Sequence, residues 1–201
     1  MGLIASIAVA GVGHMQGQYL TDEVPMKMAA MEALWETEDS APLALYANID
    51  TENHENTSEI AIPGLLSFMA HNNFTDPVQG INDLQEQYEQ EYGEGNYIPD
   101  VPLMFWSFRI MVGAGSLLVL GALIACFMVK TKREVKGSKL MLLFLPLMAF
   151  PYLANSFGWI LTEVGRQPWI VYGLQKTSDA VSQVVSGGEV LITLVGFTLV
   201  Y

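Results

Sequence analysis

The chain has little positive charge and almost no cysteine. Nine lysines and arginines stand against 21 acids in 201 residues. Between residues 14 and 100 the single base is Lys27, among 17 acids. No positive field exists there to hold phosphates, so a nucleic-acid binder is excluded. The one cysteine, Cys126, excludes an internal disulfide and a cysteine-based metal cluster. What the chain has instead is apolar length. A hydrophobic content of 51% excludes wholesale disorder.

Two runs are long enough to cross a membrane. Residues 103–129 carry one charge, Arg109, and residues 140–162 carry none. Each exceeds the ~20 apolar residues that ~30 Å of hydrocarbon requires. Residues 1–13 are uncharged but short, and 185–201 are apolar almost throughout. The start lacks the basic region with which a signal peptide opens. Both ends therefore read as partial spans of a larger integral membrane protein. The expected fold class is all-α integral membrane: a transmembrane helix bundle with a large extracytoplasmic loop. Its expected parts are a partial helix over 1–13, an acidic outer segment over 14–100 and a spanning region over 101–201.

Orientation follows from the bases. Five of the nine fall in 130–139, between the two full spans. Short cytoplasmic loops carry that excess, so this link is expected inside and 14–100 outside. Within the outer segment, Pro25 suits a first helical position, and Ala, Met, Glu and Leu over 25–38 favour helix. Residues 82–92 read as a polar helix stopped by Gly93. Residues 48–59 read as polar loop. Asn56 and Asn73 fit the glycosylation pattern, which is short and common and decides nothing here.

Several residues carry possible chemistry. Arg109 lies roughly 9 Å down the helix from Leu103 at 1.5 Å per residue. It either snorkels to the outer surface or meets an anion such as a cofactor carboxylate. Met111 is either filler or the axial thioether of a low-spin haem. Glu163 is an interfacial charge, or else a metal ligand or proton carrier, with Arg166 and Trp169 holding a bulky cofactor. Arg166 can pair with Glu163 if the helix continues one more turn. Lys27 and Glu32 lie about 140° apart on a helix, too far round for an intrahelical salt bridge, so each is free to meet something else. His14 is a proton relay or an ordinary interfacial histidine. Gly113-Ala114-Gly115 sits inside a span without a preceding strand and is a poor nucleotide loop.

Three motifs then stand in order. Phe105-Trp106-Ser107-Phe108-Arg109-Ile110-Met111-Val112-Gly113 resembles the FRIMV stretch of subunit I of cytochrome bd quinol oxidases. Gly158-Trp159 and Glu163-Val164-Gly165-Arg166-Gln167-Pro168-Trp169 resemble that family's GW and E-x-GRQPW stretch. Pro25-Met26-Lys27-Met28-Ala29-Ala30-Met31-Glu32 resembles the start of its quinol-binding loop. The resemblance implies a quinol:oxygen oxidoreductase of aerobic respiration, in a prokaryotic cytoplasmic (inner) membrane, working with a second oxidase subunit. It implies three haems: low-spin haem b, high-spin haem b and haem d. Met111 would ligate the low-spin haem iron. Glu163 would be the catalytic carboxylate that ligates a high-spin haem iron. Arg109 and Arg166 would neutralise haem propionates, and Trp159 and Trp169 would contact haems. Lys27 and Glu32 would meet quinol. The family's N-terminal half, which supplies histidine ligands, is expected to be absent, and this polypeptide alone is expected to be inactive. Two other classes compete. One is a non-catalytic channel or transporter fragment. The other is a tethered soluble binding domain, although the outer segment reads as too poor in apolar runs to form a core.

Overall fold

A computed structural model describes residues 1–131, 144–182 and 184–200. The basic link over 132–139 and the first residues of the expected second span lie outside the described residues. The first helix, α1 (Gly2–Glu23), does not stop at Gly13, as the polarity change suggests, but continues through His14 to Glu23. Pro25 then opens α2 (Pro25–Glu32), and Ala33, with φ 51°, ends it in the left-handed conformation. That stop leaves α2 shorter than the helical composition of 25–38 suggests.

The structure corrects the loop expected over 48–59. Strands β1 (Leu43–Asp50) and β2 (Glu55–Ile62) form an antiparallel hairpin. Asp50 shapes its tip by accepting from the Glu52 and Asn53 amides at 3.0 and 3.1 Å. Trp35 clamps the hairpin to the end of α2. Its ring stacks on His54 at 4.9 Å, and its Nε1 donates to Asn56 at 3.1 Å. The same Asn56 donates to the Ala33 carbonyl at 3.0 Å. The protein is therefore predominantly helical rather than all-α, with this hairpin and a second, smaller one near its end.

Two short helices follow, α3 (Leu65–His71) and α4 (Ile81–Tyr92), the latter stopped by Gly93 as expected. Gly80, just before α4, is required sterically. A β-carbon there would lie 2.2 Å from the Glu36 carbonyl carbon. The long span α5 (Val101–Lys130) is capped by Asp100, which accepts from the Leu103 amide at 3.0 Å. Its 30 residues extend ~45 Å at 1.5 Å each, enough to cross a bilayer and project from it. The return span has a break. α6 (Phe144–Leu147) and α7 (Phe150–Val164) are separated by a turn beside Pro146 and Pro151. Proline cannot donate to the helical ladder, and the turn closes with Met148 and Ala149 amides on the carbonyls three residues earlier. After α7 come a small hairpin, β3 (Trp169–Val171) with β4 (Gln175–Lys176), and the apolar helix α8 (Gly187–Val200).

The outer segment does build a core. Met26, Ala30 and Met31 of α2 pack with Leu66, Ile81 and Leu84, and with Val101, Met104 and Phe105 at the start of α5. The membrane helices run antiparallel. Met104 meets Gly165, Met111 meets Gly158, and Gly121 meets Leu147, so one chain descends as the other rises. Small residues let the backbones approach closely at these contacts.

Candidate functional site

Helix α2 lies against the start of α5 and the end of α7 and delivers its two ionisable side chains to different places. Glu32 is fully buried and meets Arg109, whose Nη2 donates to Glu32 Oε2 at 2.6 Å. The other carboxylate oxygen, Oε1, is buried and has no partner among the described residues. Burial raises the Glu32 pKa from 4.5 to about 7, against the opposing pull of Arg109. The guanidinium also donates to the Met31 and Ala44 carbonyls and lies 3.8 Å from the Phe105 ring centroid. Arg109 thus turns back to the outer segment rather than reaching open water.

At the other end of α2, Lys27 reaches the close of α7. A β-carbon on Gly165 would lie 2.9 Å from Lys27 Cε. Lys27 there feels the charges of both Glu163 and Arg166. Burial lowers its pKa most, Glu163 opposes that shift and Arg166 adds to it. Glu163 and Arg166 form an ion pair one turn apart, as their spacing allows, although α7 ends at Val164. Two cations therefore act on one carboxylate, which leaves the cluster net positive. Between the two ends, the Met111 sulfur packs on Gly158, with 3.0 Å to an imagined β-carbon.

The other expected site residues lie elsewhere. Trp159 is exposed on α7. Trp169 is buried among Tyr92, Tyr97 and Tyr172, with Lys176 donating to Tyr97 Oη at 2.8 Å. Tyr88 bonds Tyr172 across the same cluster. Sequence reading missed this tyrosine group, and its signal was present: Lys176 is the lone base after Arg166. The three histidines are each committed outside the site. His14 bonds Asn72, His54 bonds Asn82 and His71 bonds the Pro77 carbonyl. Among the described residues no group of three or more His, Cys, Asp or Glu could enclose a bare metal ion.

Comparison with known proteins places this arrangement. Residues 1–201 match the family described as cytochrome bd terminal oxidase subunit I. The chain is 44% identical over 202 residues to cytochrome bd ubiquinol oxidase subunit 1 of Bacillus subtilis (strain 168), covering 100% of this chain and 43% of that protein. It is 30% identical to cytochrome bd-II ubiquinol oxidase subunit 1 of Escherichia coli (strain K12), covering 92% of this chain and 47% of that one. The solved bd oxidase from Geobacillus thermodenitrificans superposes with a TM-score of 0.74 at 32% identity, over 98% of this chain and 44% of that one. The chain thus spans less than half the length of these relatives. With the family matched from end to end, and with the three motifs gathered at the start of α5 and the end of α7, the chain belongs to the cytochrome bd terminal oxidase subunit I family.

Proposed function

We propose that this chain forms the quinol-binding and haem-binding portion of a quinol:oxygen oxidoreductase in a prokaryotic cytoplasmic membrane. Residues 14–100 lie outside and the basic 130–139 link inside. One observation carries the reading: a single eight-residue helix delivers Lys27 to the Glu163–Arg166 pair and Glu32 to Arg109. A site that passes electrons from quinol to iron needs the quinol-binding residues beside the iron-binding ones, and α2 supplies that adjacency.

The residues fit haem. Met111 offers a soft thioether beside Gly158, where no side chain intervenes. Glu163 offers a carboxylate with two cations beside it, a setting suited to acidic groups. When bound, low-spin haem b, high-spin haem b and haem d supply one-electron transfer and the reduction of dioxygen to water. Met111 is assigned to the low-spin iron and Glu163 to a high-spin iron. Arg166 balances acidic groups of the cofactors, and Trp159 and Trp169 are assigned to haem contact. The remaining axial donors come from the rest of the full-length subunit, which also works with a second oxidase subunit.

At the quinol, Glu32 accepts a proton. Its Oε1 is buried without a partner, and a pKa near neutrality lets the carboxylate take up and release a proton at working pH. Lys27 donates a hydrogen bond to the second quinol oxygen. The test is made in the full-length oxidase. Lys27→Ala and Glu32→Gln should each cut quinol-driven oxygen consumption about 100-fold with haem content preserved. An artificial donor that bypasses quinol should still drive turnover. Equal loss with both donors would remove these residues from the quinol site.

A further inference from the structure

We propose that Arg109 is a positioning residue. Its guanidinium clamps the end of α2 and the first strand of the outer hairpin onto the membrane span α5, and so holds the Glu32 carboxylate in place. The proposal rests on Glu32 serving quinol, as read above.

The clamp is built from backbone irregularities. The last carbonyls of a helix have no intrahelical partner, and the Met31 carbonyl belongs to the final turn of α2. Ala44 stands at a register shift of the hairpin, where the pairing with β2 skips Leu45. Arg109 answers both. Nη1 donates to the Met31 carbonyl, Nε donates to the Ala44 carbonyl at 3.0 Å, and Nη2 is shared between Ala44 and Glu32. A cation from a neighbouring helix thus sits at the negative end of the α2 dipole. Phe105 covers one guanidinium face, with its ring centroid 3.8 Å away.

This role differs from neutralising a cofactor. The four bonds leave one guanidinium N–H uncommitted among the described residues. Most of the donor capacity is spent on this chain's own outer segment. The geometry also explains why the residue is arginine. A lysine carries the charge but not the planar fork that reaches two carbonyls and a carboxylate together. The partners come from two stretches, the end of α2 and the first strand, and Glu32 and Arg109 are 77 positions apart, so the contact is a tertiary tie rather than a local cap.

The test uses the full-length oxidase with its partner subunit and compares Arg109→Lys, Arg109→Gln, Glu32→Gln and the Arg109→Gln/Glu32→Gln double variant. In Arg109→Lys the quinol KM should rise about tenfold, more than kcat falls, with the low-spin haem spectrum retained. Protease cleavage within residues 43–62 should accelerate in both arginine variants. The double variant should be no worse in kcat/KM than the weaker single variant, because the two side chains act through one contact. Wild-type KM and wild-type cleavage in Arg109→Lys would overturn the proposal. So would additive losses in the double variant. Loss of the low-spin haem signal with the hairpin still protected would overturn it too, and would assign Arg109 to the cofactor. Failure of the quinol reading looks different: Glu32→Gln would turn over quinol normally, while hairpin cleavage in Arg109→Lys would still report the clamp.

Discussion

The outer segment and the membrane helices spend apolar side chains in opposite ways. In the segment over 25–100, Ala30, Leu66, Ile81 and Leu84 are sealed from solvent around α2, and of the polar residues only Glu32 and Ser67 are buried with them. Along α1 and α8 no side chain is fully buried, although both are rich in Val, Ile and Leu. The first pattern is that of a domain that packs on itself. The second is that of helices with long apolar stretches, which satisfy their own backbones and find their packing in lipid or in other helices. The candidate site lies at the seam, where the packed body grips the start of α5 and the end of α7. A residue at that seam can be tested for chemistry or for packing according to which side it serves.

The largest expected effect separates the two. Met111→Leu is nearly volume-conserving, worth less than about 1.5 kcal/mol in packing. It should nonetheless abolish the low-spin haem signal in reduced-minus-oxidised spectra of the full-length subunit. An unchanged spectrum would make Met111 part of the apolar frame only. The next effect tests the packed body. Gly80→Ala drives a β-carbon into the Glu36 backbone, which cannot yield as a flexible side-chain end can. A loss of about 3 kcal/mol or more is expected from overpacking. It should appear as lowered thermal stability of the outer segment, with the spans still inserted.

A smaller effect depends on pH. The folded protein holds the Glu32 proton more tightly than the unfolded chain, since burial raises its pKa from 4.5 to about 7. Ionising it therefore weakens the fold as pH rises across that window, and the loss is complete above about 7. Hairpin protection from protease should fall over this range in the wild type and stay level in Glu32→Gln. A level wild-type profile would mean that Glu32 meets no net burial penalty. The smallest effect is at the cap. Asp100→Ala should cost about 1 kcal/mol at the start of α5, measured by chemical denaturation, with haem spectra unchanged.

Much of this seam was legible before any coordinates. Pro25 opens α2, Gly93 closes α4, and two long apolar runs around a basic link mark the spans. The five-residue spacing of Lys27 and Glu32 indicated no pairing between them, and Glu32 meets Arg109 instead. The hairpin was not legible. Register shifts after Ala44 and Asn48 break the period-two pattern that marks a strand, and the polar tip masks the rest. The outer core was missed because its centre is methionine and alanine, which read as helix formers before they read as a hydrophobic core. The Arg109–Glu32 pair joins residues that no local periodicity relates. The aromatic cluster around Trp169 assembles from α4, the residues after it and β3, a convergence that tertiary folding alone creates.

The contact between Met111 and Gly158 has a mechanical consequence. Gly158 is flanked by Phe157 and Trp159, whose bulk could not occupy the 3.0 Å approach to the sulfur. A screw motion of α7 along α5 would therefore have to bring one of these rings against the thioether. Gly158 is the middle of three glycine notches along this pair, between Gly165 and Gly121. That notch indexes the depth of Glu163 against Met111 without any bond between them.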